Sequence, residues 1–146
     1  MIQLEKRIII HRPLEEVFAF LEDLTNVPQW QEAVVEARQV TGGPIGVGTQ
    51  YTSARMMMGQ RFEASIEHIE HEPHKKIVFK STSGPVSFQA AYLTEPVAEG
   101  TQVIALLDLQ MEGLPSQVEA EMHAAMSSEA ETELGKLKML LESRAN

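Results

Sequence analysis

A chain of 146 residues suits one domain built around one core. Its formal net charge of −9 makes nucleic-acid phosphates and anionic bilayers poor partners, and the lack of cysteine excludes disulfides, thiolate metal sites and a cysteine nucleophile. Hydrophobic residues make up 43% of the chain but aromatic ones only 5%, so aliphatic side chains and methionine must fill much of the interior.

The N-terminus opens on an alternating pattern, Ile2, Gln3, Leu4, Glu5, with neither the basic segment nor the apolar run of a signal peptide. No apolar stretch approaches the ~20 residues that cross a bilayer. A soluble, cytoplasmic protein without membrane insertion is the expectation.

Residues 2–11 read as a strand with Ile2, Leu4, Ile8 and Ile10 on one face, interrupted by Lys6. Pro13 suits the first turn of a helix, and Glu15 and Glu16 favour its dipole. Leu14, Val17, Phe18 and Leu21 then give the spacing of a buried helical stripe, ending near Asp23. A second short helix is predicted over about 26–33, carrying Trp30. Six strands follow near 34–40, 49–58, 61–70, 76–82, 86–94 and 101–111. Their breaks hold Gly and Pro, and such short connections imply antiparallel hairpins.

From 115 to about 142 the period becomes helical. Ser116 and Glu119 have the spacing of a capping box, and Met122, Met126, Ala130, Leu134, Leu137 and Leu141 form one apolar stripe. Glu121, Ser128, Glu131, Lys138 and Glu142 lie opposite. Such a helix is ~40 Å long and needs a broad surface to bury its stripe, which only the sheet supplies. The expected fold is α+β, ordered β-α-α-β6-α. A curved seven-stranded antiparallel sheet grips the long C-terminal helix in a single domain over 1–146.

That order and several local signatures resemble the SRPBCC superfamily, also called START-like, polyketide cyclase/dehydrase-like or helix-grip. The segment 10–21, IHRPLEEVFAFL, is similar to the family's first strand and helix, and 23–30, DLTNVPQW, to its second helix. GVGTQY at 46–51 resembles the turn into the third strand. Glu72-Pro73 sits at a familiar hairpin, GTQV at 100–103 resembles the start of the last strand, and 134–142 resembles the end of the closing helix. Gly135 inside that helix departs from good helix-forming practice at a cost of ~1 kcal/mol. The resemblance implies an apolar cavity between sheet and helix. It does not choose among lipid carriers, receptors, cyclases and stress-response proteins.

The site residues expected to line such a cavity are Trp30, Tyr51, Arg55, Met56, Met58, Phe62, Phe79, Phe88, Tyr92, Leu107, Met111, Met122 and Met126. Methionine is flexible and polarisable, which suits varied apolar ligands. Met56, Met57 and Met58 cannot all face inward in a regular strand. Arg55 shares a strand face with Tyr51 and Ser53 and has the geometry to clamp a ligand carboxylate. Tyr51, Arg55 and Tyr92 are the candidates for catalysis, should there be any.

His68, His71 and His74 lie three apart among Glu67, Glu70 and Glu72. Strand geometry sends His68 and His71 to opposite faces, so the segment reads as a solvated hairpin tip with no metal. The glycine-rich turn at 42–48 lacks P-loop and dinucleotide-binding spacing and opens into a strand. No G-x-S-x-G or H-E-x-x-H motif occurs, and Asp108 alternates outward. Glu129 and Glu133 lie on the flank of the helical stripe, within reach of a cavity mouth, and are read as solvated.

The sequence therefore points to a small hydrophobic ligand (lipid, aromatic or polyketide-like) bound without cofactor and without evident catalysis. A cyclase/dehydrase-type enzyme is the alternative, and an interaction module or homodimer the third reading.

Overall fold

The computed structural model describes residues 2–57, 59–84, 86–110 and 113–144. Met58 and Met111, two of the expected lining residues, lie outside them.

Seven strands form one antiparallel sheet: β1 (Ile2–Ile10), β2 (Val34–Gln39), β3 (Gln50–Met57), β4 (Gln60–Glu72), β5 (Lys76–Ser83), β6 (Ser87–Val97) and β7 (Gly100–Gln110). They run in the order β1-β7-β6-β5-β4-β3-β2, so β1 and β2 are the edges. Between β1 and β2 come α1 (Leu14–Glu22) and a 3-10 segment, Leu24–Gln29. The chain closes with α2 (Ser116–Glu142), of 27 residues. The expected helix-grip order and antiparallel sheet are those observed.

Three boundaries differ for local reasons. The second helix is a 3-10 segment that starts earlier and stops before Trp30. Asp23 caps it, accepting from the Thr25 backbone N–H at 3.0 Å, and Pro28 has no N–H with which to continue an α-helix. Pro13 occupies the N-cap of α1, one place outside the first turn. Pro115 holds the cap position of α2, with no side-chain cap bond there, so Ser116 is already helical and is not the capping residue.

Pairing register decides which side chains share the covered face. Tyr51 opposes Ile66, Phe79 opposes Ala90, Tyr92 opposes Ala105, and Ile8 opposes Val103. Tyr51, Ile66, Phe79, Tyr92 and Val103 join Ile10, Val17, Phe20, Leu21, Trp30, Leu134, Leu137 and Leu141 in one buried cluster. Removing that apolar surface from water is the main stabilising contribution.

α2 is held unevenly. Leu134, Leu137 and Leu141 of its C-terminal half are buried, whereas none of 116–128 is. Lys138 donates to the Ile9 carbonyl at 2.6 Å, and Glu142 accepts from the His11 backbone N–H at 2.8 Å. Lys6, the residue that interrupts the apolar face of β1, pairs with Glu131 at 2.9 Å. Glu131, Lys138 and Glu142, expected on a free outer face of the helix, therefore tie it to the β1 edge. The Arg144 guanidinium lies 4.7 Å from the centre of the Phe20 ring and adds a cation–π contact.

Gly100 shows why a glycine begins β7. Its φ is 146°, and a Cβ there would collide with the Ile10 carbonyl and come within 2.9 Å of the Arg12 nitrogen. The neighbouring Thr101 hydroxyl donates to the Arg12 carbonyl at 2.9 Å and fixes the same crossing. Gly135 is different, since a Cβ there meets nothing within 4 Å. Denaturant titration should therefore separate the two. Gly100→Ala should cost about 3 kcal/mol or more. Gly135→Ala should add up to about 1 kcal/mol.

Candidate functional site

Because α2 leans on β1, its other flank stands apart from the loop after the 3-10 segment. Between them lies a cleft of about 380 Å³ lined by Trp30, Glu32, Ala33, Glu129, Thr132, Glu133 and Lys136. That volume is at the small end of ligand pockets.

Trp30 follows the 3-10 segment and is only 3% exposed. Its ring is 6.0 Å from that of Tyr92, so it joins the cleft to the buried cluster. Tyr92 is held among Gln31, Glu133 and Arg55. Burial, and then the Glu133 charge, push its phenol well above the ordinary value, while a hydrogen bond with Gln31 and the Arg55 charge oppose them. Arg55 faces Glu129 at 3.8 Å, with both side chains over 40% exposed. So loose a pair contributes little, and the guanidinium is available to a ligand oxygen.

Glu133 is the most perturbed carboxyl of the site. Burial, a hydrogen bond with Glu129 and the Glu129 charge raise it to about 7, against the pull of Arg55. Four residues apart on α2, the two carboxyls are neighbours, and the Glu129 charge favours the protonated form of Glu133. At neutral pH this corner can donate or accept a proton, and Arg55 and Tyr92 stand beside it.

The expected lining residues separate into groups. Trp30, Arg55 and Tyr92 come together at the cleft. Tyr51 shares Arg55's face of β3 but lies four residues along it, roughly 13 Å away. Its hydroxyl is bound to the end of α1, 3.4 Å from the Glu22 carbonyl. Phe79 is buried between them, its ring 5.6 Å from Tyr92. Phe62, Phe88, Leu107, Met122 and Met126 are half-buried. Met56 has the opposite parity to Tyr51 and Arg55 and is 39% exposed, so it does not line the hollow.

Two sequence readings are corrected. Glu129 and Glu133 line the cleft and are not simply a solvated face, because α2 turns that flank toward Trp30 and the loop that follows it. His68 and His71 do not diverge, because a bulge between His68 and Glu70 adds a residue and returns both to the face under α1. His68 is fully buried, and His71 meets the Glu22 carboxylate at 2.8 Å. Of the three histidines only His74 is exposed.

The description "Polyketide cyclase / dehydrase and lipid transport" belongs to the family that matches residues 1–142. No curated protein matches significantly. Among solved structures, TTHA0849 from Thermus thermophilus is similar with a TM-score of 0.78 at 19% identity, covering 99% of both chains. Zhui aromatase/cyclase from Streptomyces sp. R1128 gives 0.81 at 12% identity, over 99% of this chain and 95% of that one. The di-domain ARO/CYC BexL of the BE-7585A biosynthetic pathway gives 0.75 at 22%, over 97% of this chain and 47% of its own. At these identities the likeness establishes the fold. No helix among the described residues is long and apolar enough to cross a membrane.

The Glu133 carboxyl supplies a test. Its folded-state value lies above the unfolded one, so native protein holds the proton more tightly and stability declines as pH rises from about 4.5 to about 7. Glu133→Gln, which cannot ionise, should remove that decline. In urea titrations it should be more stable than wild type at about pH 8, by roughly 1 kcal/mol after solvent screening, and no more stable at about pH 4.

Proposed function

The chain belongs to the polyketide cyclase/dehydrase and lipid transport family, and from that premise we propose that it binds a small, mainly apolar molecule between sheet and α2. The observation that carries this reading is the cleft of about 380 Å³ between Trp30 and α2; Phe62, Phe88, Leu107, Met122 and Met126 are half-buried apolar side chains that a longer ligand would cover. A lipid chain, an aromatic or a polyketide-like body fits that surface. An oxygen-bearing group fits its polar corner, where Arg55 donates and the protonated member of the Glu129–Glu133 pair also donates. The lack of cysteine suits a cytoplasmic place for this work.

Thermal unfolding with a panel of phenols, aromatic polyketides and fatty acids tests the proposal. A ligand at a hundredfold excess over its Kd should stabilise by about 2.7 kcal/mol. Arg55→Ala should weaken the best acidic or phenolic ligand by about tenfold or more, with little effect on a purely apolar one. A panel in which no compound raises the unfolding temperature would count against binding altogether.

A second reading, cyclase or dehydrase chemistry, is favoured by Glu133. Enolisation and dehydration of a poly-β-ketone need one group to take a carbon-bound proton and one to protonate an oxygen, and a carboxyl poised near neutrality serves either. Arg55 and Tyr92 would orient the carbonyls, while Tyr51 is too far along β3 to join them. If the chain turns over such a substrate, Glu133→Gln should lose about 10²–10⁴ in rate and keep ligand affinity. Unaltered turnover would remove the assignment.

A further inference from the structure

Under the last turn of α1 lies a second polar cluster that the cleft does not use. His68 is fully buried, and its Nε2 is 2.9 Å from the Glu22 carbonyl and 3.2 Å from the Tyr51 hydroxyl. A carbonyl only accepts, so Nε2 carries the proton and donates to it; the Tyr51 hydroxyl donates to the same oxygen at 3.4 Å. The proton-free nitrogen, Nδ1, is buried with no hydrogen-bond partner among the described residues. Both bonds to the end of α1 thus converge on one oxygen of its last residue, while the Tyr51 oxygen also accepts from the Leu24 backbone at the start of the 3-10 segment.

The groups around the imidazole come from four directions. α1 supplies the Glu22 carboxylate, which is occupied by His71 Nε2 at 2.8 Å. Asp23, at the joint between α1 and the 3-10 segment, accepts from the Thr25 backbone and hydroxyl at 3.0 and 2.6 Å. β3 supplies Tyr51, β5 the edge-on Phe79 ring at 6.0 Å, and β4 the neighbouring His71. Among the described residues no acceptor meets Nδ1, so adding a proton there creates a buried donor without a partner and a buried charge. The single residue Asp23 joins Glu22 to the 3-10 segment, which ends on Trp30 at the cleft.

We propose that Tyr51, His68 and Glu22 form an acid-sensitive latch: a proton added at Nδ1 leaves the Nε2–H bond to the Glu22 carbonyl in place but creates a buried charge without an acceptor among the described residues, and hydrating that charge requires the C-terminal end of α1 to lift, so that the 3-10 segment and Trp30 swing away to widen the cleft. Burial, with the His71 charge, depresses the imidazole below its ordinary value, while the Glu22 carbonyl, Glu22 and Asp23 oppose this. The released imidazole takes a proton more readily than the latched one. The latch is therefore closed and insensitive to pH above about 6.5. Below that the opening equilibrium rises about tenfold per pH unit until the depressed value is reached. The latch holds whether or not the cleft is the ligand site.

Trp30 is the only tryptophan in the chain, so its emission reports the joint directly. On lowering the pH from about 8 to about 5, the emission should move to the red while the far-UV circular dichroism stays constant. His68→Gln should abolish the shift, whereas His71→Asn and His74→Asn should keep it. An unchanged emission in wild type, a shift that survives in His68→Gln, or one that coincides with loss of dichroism would each overturn the latch. Should His68→Gln fail to fold, amide exchange in wild type decides. Protection lost at 22–30 alone, after correction for intrinsic rates, supports the latch; equal loss across β5 and β6 refutes it.

Discussion

The docking of α2 along β1 is the constraint on which the rest of the structure depends. β1 is an edge strand, and an edge presents unpaired backbone groups that favour pairing with another chain. Lys138 and His123 donate to the Ile9 and Gln3 carbonyls at 2.6 and 3.0 Å, and Glu142 accepts from the His11 N–H. These bonds cover the edge while Leu134, Leu137 and Leu141 enter the core beside it. One face of the helix is thus used twice, for apolar burial and to satisfy the strand.

The opposite flank is held loosely, by the Arg55–Glu129 pair. Glu129, Thr132, Glu133 and Lys136 look across open space toward Trp30 and the loop after it. A chain selected only for stability would place an aliphatic residue at 133, where burial opposes ionisation and Glu129 repels it. An unfavourable carboxyl beside a guanidinium and a phenol is the kind of local conflict that marks functional surfaces. The apolar cluster under α1 fills its end of the hollow, and the free volume lies at the cleft beside Trp30.

Much of this was legible in the residues. The alternation of β1, the Leu134-Leu137-Leu141 stripe and the turn residues reported local periods that follow from backbone geometry, and the Gly100-Thr101 signature marked a crossing that admits no side chain. The site was less legible because it depends on which side of α2 meets the sheet. Glu131 and Glu133 are both plausible solvent residues, and only the lean toward β1 makes one an ion-pair partner of Lys6 and the other a cleft acid. The bulge after His68 was equally hidden, since one added residue exchanges the faces of everything beyond it. A visible hint was the Glu129–Glu133 spacing, four apart beside an apolar stripe, which is unfavourable in an ordinary exposed helix.

A ligand held between α2 and β3 is the central claim. Amide chemical-shift mapping with 8-anilinonaphthalene-1-sulfonate as an apolar anionic probe tests that placement most directly. Perturbations should gather at 30–33, 53–55, 90–92 and 126–136. Shifts gathered instead at the small recess of about 180 Å³ lined by Lys80, Gln89, Asp108 and Gln110, with the α2 amides unmoved, would contradict it.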